Sequence, residues 1–325
     1  MSTVPLTRGD EARSIQAFGR APRTSAIPLL PPDASDADWK ALRRKGVGAS
    51  EMSVLLDVSP YSSRFALWWQ KREGWEIEGT DGMRIGTRLE PVIRECFLDR
   101  FPDALLLRAG ARLWAHPTMR HMLCTPDYLA VFPDDPTRVI PIECKSDETN
   151  VGWGYDGEPV VPQQHAIQAK MQALIFGSPM AYVAHLKGKR FTVHPLELTL
   201  NDSVEWHEWE RRARTFLASI DVGTPPPVDG HEATSETLQR LYPVPEEDEP
   251  AAVLDQALAD QYRDAGRRLA ILRGQYRELQ NRVRWDMGKA KEARDESGEL
   301  VATRVHYKRR EYSVAAGEVD RLNPA

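Results

Sequence analysis

Thr125-Pro126-Asp127 and, further along, Ile142-Glu143-Cys144-Lys145 decide how this chain is read. Asp127 opens the apolar run Asp127–Phe132. Glu143 and Lys145 stand at the end of a second run, Arg138–Cys144. Between them lies Pro133-Asp134-Asp135-Pro136, a strong turn signal, so the stretch predicts a β-hairpin or a short meander. Side chains two apart on a strand point to one face, so Glu143 and Lys145 share a face. Pairing the two strands brings Asp127 beside them. Two carboxylates with a backbone carbonyl and waters make a hard oxygen site suited to Mg²⁺ or Mn²⁺. A lysine there orients or helps deprotonate a water, and the metal stabilises charge on a phosphoryl oxygen. Buried without mutual pairing or a cation, such a group of charges would be costly.

The surroundings fit a mixed α/β core. Asp36 caps a predicted helix with Trp39, Leu42 and Arg43. Gly46-Val47-Gly48-Ala49-Ser50 breaks it, and Ser50 is the expected cap of a second helix through Met52, Leu55 and Leu56. Further helices are expected over 64–72 and 86–100, the latter with Leu89, Ile93 and Phe97 on one face. Ala104–Trp114 is rich in aliphatics and reads as a strand. A helix over 161–176, strands over 180–186 and 190–198 around Lys187-Gly188-Lys189, and a helix over 203–220 complete the order. Two helical residues are candidates to complete the metal site. Glu90 is an acid on an otherwise apolar face. Gln168 shares a face with Gln164 and Gln172 at spacing four.

Residues 1–35, with Pro22, Pro28, Pro31 and Pro32, are expected to form a poorly ordered arm, and 36–222 the catalytic domain. Residues 223–250 read as a Pro-rich acidic linker, with Pro225-Pro226-Pro227 and Glu246-Glu247-Asp248-Glu249. In 251–325, Leu258, Tyr262, Ala265, Leu269, Leu272, Tyr276, Leu279 and Val283 alternate at spacings of four and three. That is a heptad seam, able to dimerise or pack as an arm, which Gly266 and Gly274 weaken. A turn at 296–299, a strand over 300–307 and the basic cluster Lys308-Arg309-Arg310, a candidate DNA contact, close the chain.

Composition excludes several classes. Of 325 residues, 41% are hydrophobic and 28% charged, an ordinary globular balance. No apolar run approaches the roughly 20 residues of a spanning helix, so no membrane role is expected. The first residues lack an apolar signal core. The 3 cysteines, Cys96, Cys124 and Cys144, form no C-x-x-C pair. A disulfide framework, a zinc site and an iron–sulfur cluster are not expected, and a reducing cytoplasm fits. Trp68-Trp69 and Trp206/Trp209 read as core, and His116, His121, His165, His185 and His194 lack metal spacing and read as surface or structural.

An E-x-K pair on a strand is more often a solvated ion pair, and P-D is commoner as a turn. The ordered set is what distinguishes this chain: a helical acid, P-D, a turn, an apolar strand into E-x-K, then a Gln-bearing helix. That set resembles the PD-(D/E)XK nuclease superfamily, and within it the YqaJ-type viral recombinase, or lambda exonuclease-like, family. The pieces are Arg43 with Gly48-Ala49-Ser50-Glu51, Ser59-Pro60-Tyr61 before Leu67-Trp68, Gly86-Thr87-Arg88-Leu89-Glu90-Pro91, Thr125-Pro126-Asp127, Ile142-Glu143-Cys144-Lys145, Trp153, and Gln168 with Gln172 and Gly177. They span roughly residues 38–220. Glu51 departs from the family, which often carries Asp there. Pro162-Gln163-Gln164-His165 stands where relatives often have aromatics.

The resemblance implies an α/β (α+β) restriction-endonuclease-like core, a mixed central sheet flanked by helices. It implies that Asp127, Glu143 and the Cys144 carbonyl hold Mg²⁺, with Mn²⁺ as a substitute, and that Glu90 ligates directly or through water. Lys145 would position the attacking water, with Gln168 in support. Arg43 and Ser50 match positions that grip the 5′-terminal phosphate of DNA, and a helix N-terminus at Ser50 would favour an anion. The implied activity is exonucleolytic resection of linear double-stranded DNA ends, 5′ to 3′, for a single-strand annealing recombinase. The implied assembly is a homo-oligomer, a ring or trimer, in a phage or prophage setting in the bacterial cytoplasm. A structure-specific or nicking endonuclease on the same fold, and a catalytically inactive recombination scaffold, remain open readings.

The net charge of −5 does not exclude a polyanionic substrate. From Asp221 to Asp260 there are ten acids and one base, whereas from Arg263 to Arg310 there are fourteen bases and seven acids. The DNA-attracting charge is thus expected in the C-terminal arm and around Arg43, with the linker avoiding DNA.

Overall fold

The computed structural model describes residues 2–3, 23–31, 33–76, 79–107, 113–147, 151–244 and 250–306. They fall into two compact units, one ending at Leu238 and the other starting at Gln239.

In the first unit the chain runs through β1 (Ser2–Thr3), β2 (Arg23–Thr24), β3 (Ile27–Leu30), α1 (Asp36–Arg43), β4 (Val47–Gly48), α2 (Ala49–Leu55), α3 (Arg64–Glu73) and α4 (Asp81–Arg100). Strands β5 (Leu105–Leu107), β6 (Leu113–Ala115), β7 (Met122–Cys124), β8 (Tyr128–Phe132) and β9 (Asp135–Ser146) follow. Then come α5 (Gln163–Phe176), β10 (Met180–Lys187), β11 (Arg190–Glu197), α6 (Leu200–Val222) and α7 (Glu232–Leu241), whose last residues lie past the division between units. Strand β9 is the hub of the main sheet. It pairs antiparallel with β8 and parallel with β10, while β5 extends the β8 side and β11 the β10 side. A smaller sheet runs β3-β6-β7-β4. The expected mixed central sheet flanked by helices is therefore present.

Burial follows the sequence pattern. Tyr128, Leu129, Ala130 and Val131 are consecutive and all buried, as expected of a central strand covered on both faces. Ile93 and Phe97 on α4 pack with Ala130, Ile142 and Ala184 on one side of the sheet. Ile167, Met171 and Ile175 of α5 join Met52, Trp68, Trp206, Trp209 and Phe216 in the larger core. The paired tryptophans are thus core, as read from the sequence.

Several boundaries differ from the sequence reading, each for a local reason. The stretch 1–35 is not wholly without structure, because residues 23–30 form strands. Thr24 Oγ1 and Ser25 Nα donate to Phe176 O (3.0 and 3.2 Å), and Ser25 Oγ to Ile175 O (3.1 Å). These bonds satisfy carbonyls that the C-terminus of α5 would otherwise leave orphaned. Helix α4 starts at Asp81, where Thr80 Oγ1 accepts from Met83 N at 3.2 Å, rather than at Gly86. The run Ala104–Trp114 divides into β5 and β6, which belong to different sheets. The stretch read as a linker contains α7, because Thr234 is buried, lies 2.7 Å from Ser63 Oγ and donates to Asp229 Oδ1 at 2.6 Å.

The second unit holds one continuous helix, α8 (Gln256–Met287), capped by Asp255 Oδ1, which accepts from Ala257 N at 3.0 Å and Leu258 N at 3.2 Å. None of its residues is buried. Ion pairs such as Asp260–Arg263 and Asp264–Arg268 run along it, which offsets the cost of Gly266 and Gly274. A hairpin of β12 (Glu292–Arg294) and β13 (Leu300–Thr303) follows. Lys308, Arg309, Arg310 and the acidic run 246–249 lie outside the described residues. Among the described residues no helix is long and apolar enough to cross a membrane.

Candidate active site

The β8–β9 pairing sets the site. Tyr128 stands opposite Ile142, which leaves Asp127 just beyond the paired ladder. There its Oδ2 accepts from Cys144 N at 2.7 Å. The neighbouring Glu143 is only 4% exposed, and its burial is matched by three donors. Its Oε1 accepts from Lys145 Nζ at 2.6 Å and Gln168 Nε2 at 2.7 Å, and its Oε2 accepts from Gln172 Nε2 at 2.6 Å. Gln168 and Gln172 lie one helical turn apart on α5, so both amides reach the same carboxylate. Gln164 makes no such contact.

The electrostatics are unbalanced. Burial and the Glu143 charge push the Asp127 carboxyl well above the usual carboxylate range, against the pull of Lys145 and the Cys144 N–H. Burial lowers the Lys145 ammonium, but Glu143 and Asp127 outweigh it and hold the group above its ordinary value. Burial, then the carboxylates, also raise the Cys144 thiol, which is therefore no nucleophile. Glu90 on α4 adds its charge to Asp127 and Cys144. That helix crosses the end of β9, where a Cβ on Gly86 would lie 3.7 Å from Ser146 Oγ.

This donor set fits a hard cation. Asp127 Oδ1 has no hydrogen bond among the described residues, and a cation would relieve the repulsion that raises this group. No group of three or more His, Cys, Asp or Glu among the described residues could hold a metal by side chains alone. A metal would need backbone carbonyl and water ligands beside Asp127 and Glu143.

A second cluster gathers Arg43 and Ser50. Arg43 Nη2 donates to Ser50 Oγ at 2.9 Å, its Nε lies 3.2 Å from Glu51 Oε1, and its guanidinium sits 4.8 Å from the centre of the Trp39 ring. Trp39 Nε1 in turn reaches Thr125 Oγ1 at 3.5 Å, two residues before Asp127. Ser50 is not the cap of its helix. Gly48 holds that position and Ser50 is the second residue of a seven-residue α2. The chain turns into the helix two residues sooner because Gly48 pairs with Leu123 in β7 and Glu51 Oε2 accepts from Gly48 N.

Sequence reasoning passed over three features beside these clusters. Gln172 touches Glu143 as directly as Gln168 does, and its spacing of four from Gln168 was the available signal. Lys71 is buried beneath Arg43, and only the tertiary structure exposes this. Asp147 ties the end of β9 to its surroundings, with Oδ2 accepting from Trp153 Nε1 at 3.0 Å and Oδ1 lying 3.1 Å from His185 Nε2. The Trp153 and His185 rings stack at 3.7 Å. Both His185 and His194 are buried, and burial, then Lys145, push the His165 imidazole down to about 4. Burial also lowers the His185 imidazole, so His165 and His185 are neutral near pH 7.

Comparison with known proteins finds similarity over this part of the chain. Residues 38–179 match the model of the YqaJ-like viral recombinase domain. A relative is the uncharacterized protein YqaJ of Bacillus subtilis (strain 168), 24% identical over 271 residues, with 77% of each chain covered. Similar solved structures include an alkaline exonuclease, LHK-Exo, from Laribacter hongkongensis, with 20% identity and a TM-score of 0.45 over 63% of this chain and 99% of that one. LHK-Exo in complex with dAMP gives 19% identity and a TM-score of 0.46 over 64% and 98%.

Proposed function

We propose that this protein is a metal-dependent DNA exonuclease that resects linear duplex DNA from 5′ ends for recombination by single-strand annealing. The observation that carries this reading is the Asp127–Glu143–Lys145 group, with Glu143 buried and its two partners half-buried, which has excess negative charge and only oxygen donors for a ligand. The YqaJ-like domain supports it, and the exonuclease name of the similar solved proteins agrees with it.

In this reading Asp127, Glu143 and the Cys144 carbonyl would hold Mg²⁺ or Mn²⁺, with Glu90 reaching it through water. The bound metal supplies a lowered water pKa and stabilises charge on the scissile phosphate. Lys145, kept protonated by the two carboxylates, orients the attacking water and faces the developing phosphoryl charge. Gln168 and Gln172 fix the Glu143 carboxylate in one orientation, which limits reorganisation during the reaction. Arg43 and Ser50 bind the 5′-terminal phosphate. The link through Trp39 to Thr125 supports placing that end near the acids. The protein acts as a homo-oligomer with an annealing recombinase as partner.

Linear and closed circular duplexes, labelled at the 5′ or 3′ end, test the reading in Mg²⁺. Release of the 5′ label from linear DNA, with circles intact, is the expected result. Cutting of closed circles would replace it with an endonuclease.

A further inference from the structure

Beneath Arg43 lies a second buried ion pair that hydrolysis itself does not use. The Lys71 side chain on α3 is 4% exposed. Its ammonium donates to Gly46 O at 2.7 Å and Arg43 O at 3.2 Å, and lies 2.8 Å from Glu51 Oε2. All three of its protons thus have acceptors. Glu51 uses both oxygens. Oε2 also accepts from Gly48 N at 2.7 Å, the reciprocal half of a capping box, and Oε1 faces Arg43 Nε at 3.2 Å. Arg44 fastens the same corner from outside, donating to Lys71 O at 2.9 Å and Arg72 O at 2.8 Å. The space is tight. A Cβ on Gly46 would lie 2.5 Å from His121 O, and one on Gly48 would lie 3.3 Å from Arg43 Nε.

A buried ion pair is a costly way to hold a turn, since apolar packing often does as well. Here it also aims a guanidinium. Glu51 takes Nε, Ser50 takes one Nη2 proton, and Trp39 lies against the planar group. The remaining protons of the fork have no acceptor among the described residues. With one carboxylate against Arg43 and Lys71, the cluster keeps a positive charge for an anion.

We infer that Glu51 and Lys71 are positioning residues that aim Arg43 at the DNA terminus, so that the preference for 5′-phosphorylated over 5′-hydroxyl ends depends on this buried pair. The inference rests on the reading of Arg43 and Ser50 as the end-phosphate site.

The test compares kcat/KM on linear duplexes carrying 5′-phosphate or 5′-hydroxyl ends. The proteins are the wild type, Arg43→Ala, Glu51→Gln and the double variant. The wild type prefers phosphorylated ends, and Glu51→Gln lowers that preference about tenfold, the scale of one charge-assisted hydrogen bond. The double variant shows the preference of Arg43→Ala alone, because Glu51 acts through Arg43. A Glu51→Gln preference equal to wild type, or effects that multiply in the double variant, would overturn the inference. Glu51→Asp, one methylene too short to span Gly48 N and Arg43 Nε, enters the same cycle as the milder change. An intermediate preference supports the inference and a wild-type preference overturns it, even where Glu51→Gln does not fold. A wild type with no preference removes the end-recognition reading itself, a failure read from the unmodified protein alone.

Discussion

The β8–β9 cluster and the α1–α2 cluster are assembled from the same kinds of group, yet they are left with opposite imbalances. At β8–β9, a buried and a half-buried carboxylate face one lysine, and desolvation and repulsion raise Asp127. At α1–α2, one carboxylate faces a buried lysine and a half-buried arginine. Burial would raise Glu51, but Lys71 and Arg43 outweigh it and hold the group below its ordinary value. The first is left with excess negative charge and the second with excess positive charge. Trp39 and Thr125 connect them, and in the proposed function one substrate, a DNA end with its terminal phosphate and a nearby scissile bond, would answer both imbalances. Buried polar networks that were only structural would be expected to close on themselves.

The largest effect that sharpens this contrast is on catalysis. Glu143→Gln removes the charge that three donors converge on and is expected to lower DNA cleavage by at least about a hundredfold. Circular dichroism and thermal unfolding should show a folded protein. Unchanged cleavage would make the β8–β9 imbalance incidental.

Next in size is stability at the other cluster. Lys71→Met leaves the largely buried Glu51 without its nearest charged partner and is expected to cost about 3–5 kcal/mol in urea unfolding. Lys40→Met, which breaks the exposed 2.6 Å pair with Glu76, should change stability by about 1 kcal/mol or less. Similar losses for both would show that the Lys71 network is not what holds the α1–α2 corner.

A smaller loss is expected for Gln172→Ala, about 1–3 kcal/mol, because Glu143 Oε2 loses its donor in a dry environment. Cleavage should fall with it. Loss of stability with full activity would confine Gln172 to packing.

The smallest effect is a control on a balanced pair away from both clusters. Asp202, in the first turn of α6, accepts from the N–H of the capping residue Thr199 at 2.7 Å and pairs with Lys170 at 2.6 Å. Burial raises its carboxyl, but bonds from Lys170 and Thr199 outweigh this and hold it below the usual range. A depressed folded-state value means that its stabilisation is present above about pH 3.9 and is lost as pH falls through the folded value. Asp202→Asn should cost about 1 kcal/mol near neutrality and flatten the acid limb of the stability profile. An acid limb unchanged by the substitution would contradict that assignment.

Much of this was legible in the sequence because period two fixes what one strand face carries. Glu143 and Lys145 had to lie together, and a Pro-Asp turn signal placed Asp127 across from them. The spacing of four on α5 announced that Gln168 and Gln172 share a face. What escaped were contacts between elements far apart in sequence. Nothing in the chain near Lys71 shows that its ammonium lies beneath Gly46, and an Arg-Glu helix end normally reads as solvated. Asp147, Trp153 and His185 meet only because β10 runs parallel to β9. The strands at 23–30 were hidden for a similar reason. Their Pro-rich surroundings suggest disorder until the end of α5 offers carbonyls to pair with.

Degradation of 5′-phosphorylated, end-labelled linear duplex tests the central claim most directly, with wild type and Lys145→Ala compared in Mg²⁺ and in chelator. The wild type should release label only with metal, and Lys145→Ala should release almost none. Full activity of Lys145→Ala, or wild-type cleavage that persists in chelator, would contradict the assignment of the β8–β9 cluster as a metal-dependent nuclease centre.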